Sequence, residues 1–220
     1  MQELYTQTAS TEASSLEISK VLRNTYTLLA LCFAFSAVTA TIGSIVGMPH
    51  MGLLSLIPYF ALLFAVEKTK NSGWGLVWVF ALTGWLGLTI APLLSFVVAT
   101  AGIEPILMAL GGTALIFFGL SGYVLVSRKD LTFMGGFLVV GILVAFIAGI
   151  ANVFFNIQGL HLAVSCMFLL LSSGIIAWYT SVIIHGGETN YISATVMLFV
   201  AIYNVFVSLL QLILAFSGDD

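Results

Sequence analysis

The spacing of the charges restricts this chain more than any other feature. Residues 24–66, 71–103, 105–127, 131–187 and 189–218 contain no Asp, Glu, Lys or Arg. A helix needs about 20 mostly apolar residues to cross the hydrocarbon core of a bilayer. The first and fourth windows have room for two such helices each, and the other three for one each. The gaps therefore predict seven spans. Gly47, Met48, Pro49 and His50 break the first window, and Asn156, Ile157, Gln158 and Gly159 break the fourth. The expected helices are 24–46, 52–67, 74–98, 106–127, 132–155, 160–184 and 192–216. The second is short and carries Pro58. The third carries Pro92, where a kink or an early end is expected, because proline has no amide to donate and crowds the preceding turn. The apolar runs are continuous and do not alternate, which argues against a transmembrane barrel.

Composition narrows the function classes. The chain is 60% hydrophobic and 7% charged, against about 25% charge in soluble domains. That leaves too little polar surface for a soluble enzyme, and too much apolar sequence for a disordered chain. A net charge of −3 offers no basic footprint for nucleic acid, so the lipid bilayer is the expected partner. Cys32 and Cys166 read as small buried hydrophobes, not as a disulfide or metal pair.

The basic residues predict the orientation. With the N-terminus inside, the inner segments are the N-terminal tail, 67–73, 128–131 and 185–191. They hold Lys20, Arg23, Lys68, Lys70, Arg128 and Lys129, which are all six basic residues of the chain. The outer segments hold none, so the positive-inside rule predicts N-in and C-out. Residues 1–20 are expected as a polar cytosolic tail, 21–217 as the seven-helix transmembrane domain, and 218–220 as a short external tail. The first 20 residues lack the layout of a signal peptide. Ser14 and Glu17 have capping-box spacing, which predicts a short lead-in helix preceded by about a dozen unstructured residues. No internal repeat is evident.

No charged residue falls in the middle of a predicted span. Glu67 and Glu188 lie at inner helix ends and Glu104 at the outer surface, suited to interfacial solvation or to an ion or partner contact. Asn204 and Gln211, seven residues apart, share one face of helix 7. Because an amide is costly in lipid, that face is expected to turn inward and to make helix 7 central. Gly141, Ala145 and Gly149 form a small-residue ladder on helix 5, which predicts close helix packing there. His161 and His185 lie about 36 Å apart along helix 6 and cannot share a metal. His185 suits a C-terminal cap, with Gly186 stopping the helix and Thr189 or Asn190 capping helix 7. A proton-sensitive role is the alternative. Gly119-Leu120-Ser121-Gly122 has the Gly-x-Ser-Gly form of rhomboid intramembrane proteases. Helix 2, however, lacks the His and Asn of those enzymes within the membrane, so no catalytic assignment follows. The chain is read as a non-enzyme, and nothing in it calls for a cofactor.

Five segments carry a closer resemblance: 20–26 (KVLRNTY), 109–114 (ALGGTA), 159–165 (GLHLAVS), 183–192 (IIHGGETNYI) and 203–210 (YNVFVSLL). Together they resemble the Bax inhibitor-1 (transmembrane Bax-inhibitor motif) family over about residues 20–216. Within it they resemble the bacterial YccA-like branch, modulators of the membrane-bound AAA protease FtsH. The resemblance implies a seven-helix bundle with helix 7 central, in the inner membrane of a bacterium. It implies FtsH as partner, with the tail from Met1 to Lys20 as the segment through which the chain is bound and slowly degraded. The alternative it implies is a calcium leak, with Ca²⁺ as the transported ion. In that branch of the family two aspartates, on helices 6 and 7, form a pH gate, because two close carboxylates cannot easily both ionise. Here Tyr179 and Ala201 stand at those positions. The candidate functional residues are therefore His185, Glu188 and Asn204, with Tyr179 and Ala201 marking a departure from the acid gate.

Overall fold

The computed structural model describes residues 2–155 and 157–217. Met1, Asn156 and the expected external tail 218–220 lie outside the described residues. Within them the chain is helical: α1 Gln2–Val46, α2 Leu56–Thr69, α3 Trp74–Ala101, α4 Glu104–Ser127, α5 Gly135–Phe155, α6 Gln158–Ile184 and α7 Tyr191–Ser217. Short 3-10 turns, Gly52–Ser55 and Thr132–Met134, lead into α2 and α5. Among the described residues, seven helical segments are long and apolar enough to cross a membrane. A 3-10 turn takes the positions 52–55 ahead of α2, and α3 runs on to Ala101.

The prolines behave differently from one another. Pro58 falls in the first turn of α2, where a missing amide costs little. Pro92 does not end α3, which continues to Ala101. The expectation of an early end there is therefore corrected. The region is held from α1: Ser44 Oγ lies 3.5 Å from the Ala91 carbonyl, and Gly43 backs directly onto Ala91 and Leu88. Neighbouring helices can support a proline inside a membrane helix in this way. The N-terminal segment also differs from expectation. Its backbone is helical from Gln2 onward and continuous with α1. No Gly or Pro falls between Gln2 and Ile42 to stop the helix.

Packing follows small residues. The tightest seam joins α1 to α3. Gly84 lies against the Phe35 ring, Gly87 against Ser36 and Thr39, and Ala91 against Gly43. The expected ladder on α5 is present and faces α6: Gly141 meets Leu171, Ala145 is buried, and Gly149 meets Val164 and Phe168. α7 packs against α1, α2, α3, α4 and α6. It buries Ile192, Leu198, Phe199, Ala201, Ile202 and Val205 in the main apolar cluster. Cys32 is buried as expected, but Cys166 is exposed. The outer surface of a membrane helix can carry any apolar residue, so hydropathy does not distinguish the two.

Candidate functional site

Three long-range contacts gather the N-terminal part of α1, the α2–α3 loop, the α4–α5 loop and the α6–α7 loop at one end of the bundle. Thr195 Oγ1 lies 3.3 Å from the Thr25 carbonyl, Asn190 Nδ2 donates to the Lys70 carbonyl at 3.1 Å, and the Leu131 amide donates to Ser181 Oγ at 2.9 Å. The six basic residues lie on these segments.

The α6–α7 loop is built by its caps. Gly186 adopts φ +76°, a conformation that costs glycine little. Its amide donates to the Ile183 carbonyl at 3.1 Å and that of Gly187 to the Val182 carbonyl at 2.9 Å, which is a Schellman ending. His185 Nδ1 donates to the Ser181 carbonyl at 2.8 Å, so the ring complements the last turn of α6 as expected. Of the two residues considered as caps for α7, Asn190 takes the role. Its Oδ1 accepts from the amides of Ile192 at 2.9 Å and Ser193 at 3.3 Å.

Glu188 is the centre of this loop. Its Oε2 accepts from the Tyr179 hydroxyl at 2.8 Å, and its Oε1 from the Asn190 amide at 2.8 Å. Asn190 Nδ2 reaches across to Asn71 Oδ1 at 2.8 Å as well as to the Lys70 carbonyl. Lys70 pairs with Glu67, whose carboxylate also receives Ser193 Oγ at 3.4 Å. The hydrogen bond to Glu67 holds the Lys70 ammonium above its ordinary pKa. Tyr179 and Glu188 are thus brought together, and Glu188 and Asn190 connect α6, α7 and the α2–α3 loop. Ala201 stands apart from them, 2% exposed within the apolar cluster around α7. Sequence reading did not find Asn71 or Ser193 as partners, because Asn71 meets Asn190 and Ser193 meets Glu67 across more than 100 residues of chain.

Asn204 lies towards the opposite end. With Gln211, His161, Ser165 and Ser208 it lines a cavity of about 230 Å³ between α6 and α7. Ser165 Oγ lies 2.8 Å from Gln211 Oε1 and 3.0 Å from the His161 carbonyl. The amide face of helix 7 therefore turns towards α6, as its sequence spacing predicts.

Ser121, the serine of the Gly-x-Ser-Gly pattern, is buried, and its Oγ lies 3.3 Å from Thr180 Oγ1. Its partner is a hydroxyl that itself donates to the Ile176 carbonyl at 2.7 Å, while His185 is engaged at Ser181. A base in hydrogen-bond contact is what a serine nucleophile requires. We expect Ser121→Ala to cost about 1 kcal/mol of stability, the worth of one neutral hydrogen bond. Thermal unfolding of the purified variant in detergent checks this, and a loss several times larger would contradict a simple α4–α6 contact.

Comparison with known proteins accords with this architecture. The family model described as Inhibitor of apoptosis-promoting Bax1 matches residues 18–218. "Modulator of FtsH protease YccA" from Escherichia coli is 51% identical over 208 residues, covering 94% of each chain. "Inner membrane protein YccA" from a second Escherichia coli strain has the same identity and coverage. An uncharacterized membrane protein of Vibrio cholerae is 40% identical over 220 residues, covering 99% of this chain and 98% of its own. The match extends across all seven helices, and the chain therefore belongs to the Bax inhibitor-1 family, as a multi-pass protein of the bacterial inner membrane.

Proposed function

We propose that this chain binds an FtsH-type membrane protease and modulates it, serving as a slow substrate through its N-terminal segment. The observation that carries the reading is the 51% identity, over 94% of both chains, to a relative named as a modulator of that protease. The orientation is N-in and C-out, supported by the collection of all six basic residues at one end. α7 is the central helix, supported by its packing against five of the others. In this orientation residues 1–20 face the cytosol, where a processive protease can engage them. Thr6, Thr8, Ser10 and Thr11 are weak helix formers, and a helix of that composition has little stability of its own, so a pulling motor can open it. Glu188, Tyr179 and Asn190 join the end of α6 and the α6–α7 loop to the α2–α3 loop behind that handle.

Deleting residues 2–15 is expected to lengthen the half-life of the protein severalfold in cells with active protease. An unchanged half-life in a pulse-chase experiment would overturn the substrate reading. The polar cavity around Asn204 favours one second reading, a cation leak without the two-aspartate gate. Liposomes containing the purified protein would then pass Ca²⁺, and Asn204→Leu would reduce the flux. Absence of flux anywhere between about pH 5 and 8, the range in which histidine titrates, removes that reading.

A further inference from the structure

The α4–α5 loop carries a feature that neither the caps nor the Glu188 cluster uses. Arg128 and Lys129 stand side by side and exposed just after α4. Among the described residues the only ion pair joins Lys70 to Glu67, so both of these cations lack a carboxylate partner. The nearest acid in sequence, Asp130, is occupied. Its Oδ1 accepts from the Thr132 hydroxyl at 2.6 Å and the Thr132 amide at 2.9 Å. Those bonds hold its carboxyl below the ordinary range.

The loop is also held rigidly. Ser181, fully buried on α6, accepts from the Leu131 amide at 2.9 Å and lies 3.1 Å from the Lys129 carbonyl. Trp178 Nε1 donates to the Thr132 carbonyl at 3.2 Å, and its ring packs on Gly135 at the start of α5. Arg128 has φ +51°, the only non-glycine residue with positive φ among those described, and its amide donates to the Val124 carbonyl at 2.9 Å.

The surface beside these cations is apolar. Val126 is 87% exposed and Phe133 80%, and Tyr123 and Phe137 are also exposed. Lys129 Nζ lies 5.5 Å from the centre of the Tyr123 ring. The ammonium is thereby folded back along α4 to the level of an exposed aromatic one turn inside the helix end. Aromatic rings and basic side chains at the end of a spanning helix lie at the depth of the lipid headgroups.

We propose that Arg128 and Lys129, with Tyr123 and Phe133, form a binding site for the headgroup of an anionic phospholipid. The two cations take the phosphodiester, Arg128 through its fork of donors and Lys129 as a point charge, and the acyl chains cover Val126, Phe133 and Phe137. A lipid fits better than an acidic protein segment because the apolar side chains beside the cations belong to two membrane-spanning segments, 104–127 and 132–155, and already face acyl chains, so a headgroup is the anion nearest to hand.

The test uses the full chain in neutral detergent, titrated with phosphatidylglycerol or phosphatidylcholine, with bound lipid counted by native mass spectrometry. The wild type is expected to bind phosphatidylglycerol in preference, and the preference should weaken at high salt. A cation in direct contact with the headgroup should contribute at least what one charge near an anionic membrane surface does, about a fivefold factor in affinity. Arg128→Gln with Lys129→Gln should therefore lower the apparent affinity for phosphatidylglycerol roughly thirtyfold. Arg23→Gln with Lys68→Gln, which removes the same charge elsewhere at this end, should change it far less. Equal losses in the two double variants, or equal binding of the two lipids by the wild type, would overturn the proposal. Displacement of phosphatidylglycerol from the wild type by a soluble polyglutamate peptide would overturn it in favour of an acidic protein partner.

Discussion

Replacing Gly87 with alanine should destabilise the protein by roughly 1–3 kcal/mol, the usual cost of forcing an extra carbon into a filled core. A Cβ built at this position overlaps both Thr39 Oγ1 and the Ser36 carbonyl of α1. The carbonyl is backbone and cannot rotate away, so relief requires α1 and α3 to separate. Such separation would disturb the contacts of Gly84 with Phe35 and of Gly43 with Ala91 on the same seam. The paired control is Gly119→Ala on α4, where nothing lies within 4 Å of the added carbon. There the better helix propensity of alanine, up to about 1 kcal/mol, should leave stability unchanged or slightly raised. Thermal unfolding of both variants in one detergent separates the cases. Equal midpoints would mean that the α1–α3 seam is looser than described.

The second large effect is expected at Asn190. Asn190→Ala removes the cap of α7, worth about 1 kcal/mol. It also removes two hydrogen bonds to the α2–α3 loop, of about 1 kcal/mol each at most. A total near 2 kcal/mol is expected, together with faster amide exchange at Ile192 and Ser193. Asn190→Asp separates the two contributions. The carboxylate still accepts from Ile192 and Ser193, but it cannot donate to the Lys70 carbonyl or to Asn71 Oδ1. Protection of the first turn of α7 should then survive while the loop contact is lost. Loss of protection in both variants to the same extent would show that the cap depends on the loop contact.

Much of the fold was legible in the amino-acid sequence, and the reason is specific to membranes. A spanning helix must satisfy its own backbone and exclude charge, so runs between charged residues mark the spans directly. Gly186 as a stop signal and Asn190 as one of two candidate caps were equally legible, because caps are local: their partners lie two to four residues away. The inward turn of Asn204 and Gln211 followed from the cost of an amide in lipid. Legibility ended where partners are distant in the chain. Gly87 and Ala91 stand four apart on α3, a spacing plain in the sequence, but the residues they meet on α1, Ser36, Thr39 and Gly43, lie about 50 positions away in the chain. The lead-in helix was expected, but not its extension over the first dozen residues, whose polar Ser and Thr content suggested a tail although nothing there breaks a helix.

The sequence by itself determined that seven stretches are long and apolar enough to cross a membrane, and that the basic residues fall in a few short segments at their ends or between them. The tertiary structure decided which faces meet. It put Tyr179 on Glu188, Asn190 on the α2–α3 loop, Ser121 on Thr180, and a clamped pair of cations, Arg128 and Lys129, beside exposed aromatics. The physical reason lies in the solvent. An apolar side chain is equally at home against lipid or against another helix, so the hydropathy pattern of these helices does not distinguish their inner from their outer faces. Helix packing is set instead by close fits of small residues and by a few polar contacts between residues as far as 170 positions apart in the chain.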